Sequence, residues 1–165
     1  MKVEIKEIEQ VFPLELAAIF LACLKHDYQG ILPATVLNNF SLEDSEELWN
    51  ESVTSVAPHN FIGAYIAGEL VGFSKIGIDP EDSAAGYLAS LYVHPDASGK
   101  GVGKKLLSYS LEELSGDPIT RLWVFGSNEK AIELYKSLGF TVNGRSRTQS
   151  TWNTLEIELE LNNTK

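Results

Sequence analysis

An α/β (α+β) domain of about seven strands and about four helices is what this sequence predicts. Three observations point there. Strand-like and helix-like hydrophobic periods alternate along nearly the whole chain. A hydrophobic strand runs straight into a glycine-rich turn that opens a basic helix, between Leu91 and Leu107. The 165 residues, 44% of them hydrophobic, suit one domain over residues 1–165 with a real core.

Val3–Ile8 alternates like a strand. Phe12–His26 reads as a helix, with Pro13 in the first turn, where a missing N–H is tolerated. Asp27–Pro33 reads as a loop. A second helical region follows, with Ser41-Leu42-Glu43-Asp44 as a capping box ahead of Leu48 and Trp49. The acidic run Glu43, Asp44, Glu46 and Glu47 is then a helix start with a solvated face. Phe61–Ile66 and Leu70–Ile78 flank Ala67-Gly68-Glu69, a hairpin signature. Pro80–Gly86 reads as a polar loop and Tyr87–Val93 as a strand. The lysine-bearing helix runs to about Leu114. Arg121–Phe125 is a strand. Asn128–Leu138 is a helix capped by Asn128 or Ser127 and stopped by a left-handed Gly139. Phe140–Arg147 and Leu155–Leu161 close the chain as strands, the last alternating apolar residues with Glu as a half-exposed strand does. The order is β-α-α-β-β-β-α-β-α-β-β.

Composition removes several classes of function. A net charge of −10 argues against a nucleic-acid partner. No apolar run approaches the roughly 20 residues that span a bilayer. The N-terminus lacks a signal-peptide core, and Cys23 is the only cysteine, so the default location is the cytoplasm. Cys23 sits in an apolar helical stretch and reads as a small core residue. No His/Cys spacing suggests a metal. The charge is unevenly spread. Residues 1–97 carry 4 basic and 15 acidic side chains, net −11, and residues 98–165 carry 9 and 8, net +1. An anionic ligand belongs to the second half. The acidic half suits either a cationic partner, such as an amine, or plain solvation.

The turn itself is an anion site built mostly of backbone. Gly99, Gly101 and Gly103 remove Cβ obstruction, and the free N–H groups and dipole of a helix start favour negative charge. Lys100, Lys104 and Lys105 stand at the same helix start. A Walker loop fails, since Ser98 falls on its first glycine and Lys105 on its Ser/Thr. A dinucleotide fingerprint from Gly99 fails at Lys104.

Ser98-Gly99-Lys100-Gly101-Val102-Gly103 does resemble the pyrophosphate loop of the GNAT superfamily of N-acetyltransferases, [QR]-x-x-G-x-[GA], with Ser98 in place of Gln or Arg. Asn128-Glu129-Lys130-Ala131-Ile132-Glu133-Leu134-Tyr135 through Gly139-Phe140 resembles that family's second motif, N-x-x-A-x-x-[FY]-Y-x-x-x-G-F. The element order agrees over nearly the whole chain. The resemblance implies a central mixed, mostly antiparallel sheet and acetyl-CoA as co-substrate. It implies that the backbone of Leu91, Tyr92 and Val93 pairs with the pantetheine arm. It places the pyrophosphate on the amides of Ser98, Gly99, Lys100, Gly101, Val102, Gly103 and Lys104, and Asn128 on the pantetheine or on its own helix cap. Arg121 or Lys130 would meet the ribose phosphate, and Trp123 would line the acyl cleft. Tyr135 matches the position that protonates the departing thiolate. A backbone N–H near Val93 would hold the oxyanion.

The usual strand-four Glu is replaced by Tyr87, which leaves Glu69, Asp27, His26 or a water chain as proton acceptor. The acceptor implied is a small-molecule or peptide amine, and a homodimer is common among such proteins, with Leu155–Leu161 as a candidate interface. Specificity falls to residues 26–40, the Ile78–Gly86 loop and the Arg145–Asn153 loop. The alternative is an acyl-CoA-binding sensor or interaction module with little transferase activity.

Overall fold

The computed structural model describes residues 2–164. Its elements are β1 (Val3–Glu7), α1 (Pro13–Asp27), α2 (Ala34–Asn39), α3 (Leu42–Val53), β2 (His59–Ile66), β3 (Glu69–Asp79), β4 (Asp82–Val93), α4 (Val102–Glu113), β5 (Ile119–Phe125), α5 (Glu129–Ser137), β6 (Thr141–Gln149) and β7 (Thr154–Asn162). One seven-stranded sheet runs in the order β1-β2-β3-β4-β5-β7-β6. Every neighbouring pair is antiparallel except β4 and β5, which are parallel. The mixed, mostly antiparallel sheet is therefore present. Among the described residues no helix is long and apolar enough to cross a membrane.

Three sequence expectations need correction. The single helical region after the loop is two helices, which makes five α-helices among the described residues. The Ser41 hydroxyl accepts from the Asp44 N–H at 3.0 Å, and the Asp44 carboxylate accepts from the Ser41 N–H at 2.9 Å. That closed capping box starts a new helix, so α2 must end before it.

The polar loop Pro80–Gly86 shrinks to a turn at Pro80 and Glu81, with β4 beginning at Asp82. The Asp79 carboxylate accepts from the Glu81 N–H at 2.9 Å, and Asp82 accepts from the Ala84 N–H at 3.0 Å. Side-chain acceptors close the turn, and Ala85, Gly86 and Tyr87 are taken up as rungs to β5. The Arg145–Asn153 loop is likewise mostly strand, since β6 continues to Gln149.

The third correction concerns β7. It is an inner strand between β5 and β6, and β6 holds the edge. Its glutamates are satisfied by arginines rather than by solvent. Glu158, 1% exposed, accepts from Arg145 at 3.0 Å and from Asn143 at 2.6 Å. A two-residue irregularity in β6 between Val142 and Ser146, with Gly144 at φ 90°, brings both donors to it.

Each face of the sheet has its own apolar cluster. Leu106 and Leu107 of α4 and Tyr135 of α5 pack on Ile62, Leu88, Leu122, Val124 and Leu159. On the other face Leu16, Phe20 and Leu24 of α1 and Trp49 of α3 pack on Phe61, Phe73 and Phe125. This second cluster is an edge-to-face aromatic stack, with Trp49 and Phe73 centroids 4.9 Å apart and Phe20 and Tyr92 also 4.9 Å apart. It stops short of β7 and β6, whose polar side chains fill the rest of that face. Phe73 is fully buried at its centre. Phe73→Ala is expected to lower unfolding free energy by about 3–5 kcal/mol, measured by urea denaturation.

Candidate active site

Among the described residues the rungs between β4 and β5 are Ala85–Ile119, Gly86–Thr120 and Tyr87–Arg121. Beyond them the strands part. β4 stays paired to β3 as far as Val93, and β5 stays paired to β7 as far as Phe125. Ser90 opposes Lys75 and Leu88 opposes Ile76, so Ala89 bulges out and turns β4 away. A cavity of about 270 Å³ opens along the parted strand, and a second of about 80 Å³ continues it between the strands.

The exit of β4 sets which groups face this cleft. The His94 N–H donates to the Val71 carbonyl at 2.7 Å. Antiparallel alternation then turns the Tyr92 backbone toward β3, and the N–H and C=O groups of Leu91 and Val93 away from it, into the cleft. The Val93 carbonyl is met there by the thiol of Cys23, which donates at 3.0 Å. Cys23 is thus a cleft wall as well as a core residue. Asp27, one helical turn further, lies on the same wall with Tyr28. The i, i+4 spacing of Cys23 and Asp27 at the end of α1 is the signal that could have found them. Burial, followed by the charge of Asp27, pushes the Cys23 thiol up to about 12.

The glycine loop closes one end. A short turn, Pro95–Ala97, precedes it, and the Ser98 hydroxyl donates to the Pro95 carbonyl at 2.8 Å. Ser98 therefore supplies a local brace for the loop. Gly99 and Gly101 have φ of 74° and 78°, and space for a Cβ at either is open. Gly101 is the N-cap of α4, and the first helical bond runs from the Lys105 N–H to its carbonyl. The amides of Val102, Gly103 and Lys104 thus have no partner within the helix. Bare backbone, open space and free donors fit a diphosphate.

Ser98, Gly99, Gly101, Val102 and Gly103 line the cleft, whereas Lys100, Lys104 and Lys105 are exposed beside it. Lys100 reaches back to the Asp96 carbonyl at 3.3 Å. The cation on the cleft wall is Lys130. Arg121 lies at the closed end of the split, held by Asp82 at 2.8 Å and Glu160 at 3.2 Å.

α5 forms the opposite lip. The Asn128 side chain accepts from the Ala131 N–H at 3.3 Å, so it caps its helix, and it also lines both cavities. Tyr135 follows Ala131 by one turn and lines both as well. Its ring packs edge-on to Phe140, with centroids 5.8 Å apart. Burial alone drives its phenol well above the ordinary tyrosine range. Burial does the same to Tyr92.

The inner cavity lies between the parted strands and is lined from both faces of the sheet. Leu88 and Val124 line it from the α4 and α5 face, and Tyr92, Trp123 and Phe125 from the α1 face. On that second face the Trp123 ring carries the guanidinium of Arg147 at 4.2 Å and of Arg145 at 5.5 Å. Arg147 in turn donates to Glu156 at 2.9 Å. Of the candidate proton acceptors, Asp27 is on the cleft wall, bonded to His26 at 2.7 Å, and Glu69 starts β3, away from the lining. Among the described residues no group of three or more His, Cys, Asp and Glu is placed to hold a metal.

A sheet split at its centre, with a backbone diphosphate cradle on one lip, defines an acyltransferase that works on coenzyme A thioesters. The chain belongs to the acetyltransferase (GNAT) family, which its residues 22–140 match. It is accordingly an N-acetyltransferase with acetyl-CoA as its acyl donor. It is 33% identical over 115 residues to the spermine/spermidine N(1)-acetyltransferase of Bacillus subtilis (strain 168), across 65% of this chain and 76% of that one. It is 28% identical over 129 residues to the L-methionine sulfoximine/L-methionine sulfone acetyltransferase of Salmonella typhimurium, across 67% of this chain and 74% of that one. The fold matches the PaiA N-acetyltransferase of Thermoplasma acidophilum, solved in complex with coenzyme A. That match has a TM-score of 0.72 at 22% identity and covers 98% of this chain and 99% of that one.

Two outcomes follow from this geometry. Gly101→Val puts a branched side chain at a left-handed position in the cradle. Acetyl-CoA affinity should fall by at least about tenfold in calorimetry, with a stability loss of about 1–2 kcal/mol. With its thiol at about 12, Cys23 at pH 8 is thiolate in only about one molecule in ten thousand. A maleimide or disulfide probe should leave the native protein unlabelled and label it in urea.

Proposed function

We propose that this protein moves the acetyl group of acetyl-CoA to a primary amine by direct attack in a ternary complex. The observation that carries this is the inner cavity, which is lined by residues of both faces of the sheet. The donor lies along the glycine loop, Leu91 and Val93 on the α5 side. The acceptor enters past Tyr87, Trp123 and Phe125 on the other side, so neither must leave before the other binds. Leu91 and Val93 offer backbone groups to the pantetheine, and the Val93 N–H faces the developing oxyanion.

Tyr135 gives its proton to the departing sulfur. In water a phenol near 10 is a weaker acid than a thiol near 8.5, and the transfer runs uphill. Burial in this cleft acts on both partners. It raises the Tyr135 phenol, and it has pushed the Cys23 thiol on the opposite wall to about 12. A thiolate released there is a stronger base than in water, but the phenol has become a weaker acid as well, so the transfer stays uphill and the placement of Tyr135 at the sulfur must compensate.

The acceptor is a small molecule or a protein N-terminus, and the charge on its side of the sheet favours a cation. Arg121, Arg145 and Arg147 face Asp79, Glu81, Asp82, Glu156, Glu158 and Glu160, an acidic excess of three. The similarity to a spermine/spermidine acetyltransferase supports the same direction. A cytoplasmic location belongs to this reading, resting on a chain with one cysteine. So does a homodimer, for which the edge of β6 offers a better surface than the inner β7. The second reading, an acyl-CoA sensor or interaction module with little turnover, is favoured by Tyr87, which leaves β4 without a carboxylate at that position.

Amine-dependent release of CoA separates the two readings. Polyamines should be turned over faster than neutral amino acids. Tyr135→Phe should lower kcat by about 100-fold or more while acetyl-CoA binding, read by calorimetry, is unchanged. Because burial holds the phenol protonated, no alkaline fall in rate is expected below about pH 10. Binding without release by any amine would support the sensor.

A further inference from the structure

We propose that Glu156 takes the proton of the acceptor ammonium, directly or through one water. This rests on the transferase reading above. A primary ammonium near 10.4 is neutral in only about one molecule in a few thousand at pH 7, so a proton acceptor on the acceptor side is required.

Glu156 is the β7 partner of Phe125, at the open end of the split, where Phe125 lines the inner cavity and packs on Tyr28. Directly opposed strand residues project to the same face with neighbouring Cβ atoms. The other carboxylates of that face are placed or occupied differently. Glu160 opposes Arg121 at the closed end and is bonded to it, Asp82 is held by the same arginine, Asp79 is buried there 3.6 Å from it, Glu81 is bonded to Arg145, and Glu158 is buried under Arg145 and Asn143. Asp27 is bonded to His26 and lines the outer cavity beside Cys23 and the glycine loop; Glu156 lines neither cavity and stands next to the wall that Phe125 forms.

Glu156 accepts from Arg147 Nε through Oε1, and Oε2 takes no hydrogen bond from the described residues. The groups facing it are Arg147 from β6, Tyr87 and Tyr92 from β4, whose hydroxyls feel its charge, and Glu158 on its own strand.

In the step, one ammonium proton passes to Glu156 and the neutral nitrogen forms a C–N bond to the thioester carbon. The C–S bond breaks and Tyr135 protonates the sulfur. The second nitrogen proton restores Tyr135, and Glu156 releases its proton to solvent.

The test compares Glu156→Gln with the unsubstituted protein over about pH 7 to 10, using spermidine as acceptor and acetyl-CoA binding as the control for folding. Binding should be unchanged. Turnover at pH 7 should fall by about 100-fold, the deficit shrinking as solvent deprotonates the amine. Arg147→Gln, which breaks the same ion pair but keeps the carboxylate, should retain the wild-type shape of the pH profile. A deficit below about threefold, or one equally deep at both ends of the range, overturns the assignment. So does a pH-sensitive loss in Asp27→Asn in place of Glu156→Gln. Absence of turnover by the unsubstituted protein with every primary amine overturns the transferase reading and this assignment together.

Discussion

The structure depends on one constraint: β4 and β5 meet over three parallel rungs and must then separate. Parallel rungs are the weaker kind, and three of them do not hold two half-sheets together. Side chains reinforce the closed end. Arg121 on β5 is bonded to Asp82 at the start of β4 and to Glu160 on β7, and Arg145 on β6 bridges Glu158 and Glu81. The Arg145–Glu81 pair is exposed and contributes at most about 1 kcal/mol. Glu158 differs, because removing its partners would strand a charge in the protein interior. The ion pairs sit where the helices of the α1 face do not reach, and they keep the split open at one end by fastening the other.

Past the fastening, each departure from a regular strand has a use. The bulge at Ala89 turns β4, leaving the backbone of Leu91 and Val93 without a sheet partner on one side. Unpaired strand groups next to an apolar wall invite an extended ligand to complete the pairing, and the thiol of Cys23 on Val93 is a weak placeholder for such a bond. The left-handed glycines then bare the first amides of α4 at the distance one strand end imposes. The glycine cradle at one end and the buried Tyr135 beside it both border a single geometric event, the parting of two strands.

Much of this was legible in the sequence because it is written in local patterns. The hairpin turn at Ala67 and Gly68, the capping box at Ser41 and the stop at Gly139 need only neighbours in the chain, and each stands where it reads. The glycine loop and the helix carrying Tyr135 were legible for the same reason. What escaped was non-local. The glutamates of β7 read as solvent-facing because their arginines lie on other strands, so an inner strand looked like an exposed one. Pro80–Gly86 read as a loop because its polar composition hides a tight hairpin to β3, and the rungs that fix it on the other side are to a strand 34 residues away. Arg121 and Lys130 looked equivalent as cations, and only the register separated them, one at the closed end of the split and one on the cleft wall. Cys23 read as core because helical periodicity reports burial and not which boundary a buried residue faces.

Amide hydrogen exchange with and without acetyl-CoA tests the central claim most directly, with ATP as the control ligand. Acetyl-CoA should slow exchange at Leu91, Val93 and the Gly99–Lys105 amides and leave β1 and β2 unchanged, and ATP should protect none of them. Unchanged exchange at those amides under saturating acetyl-CoA, or equal protection by ATP, would contradict that claim.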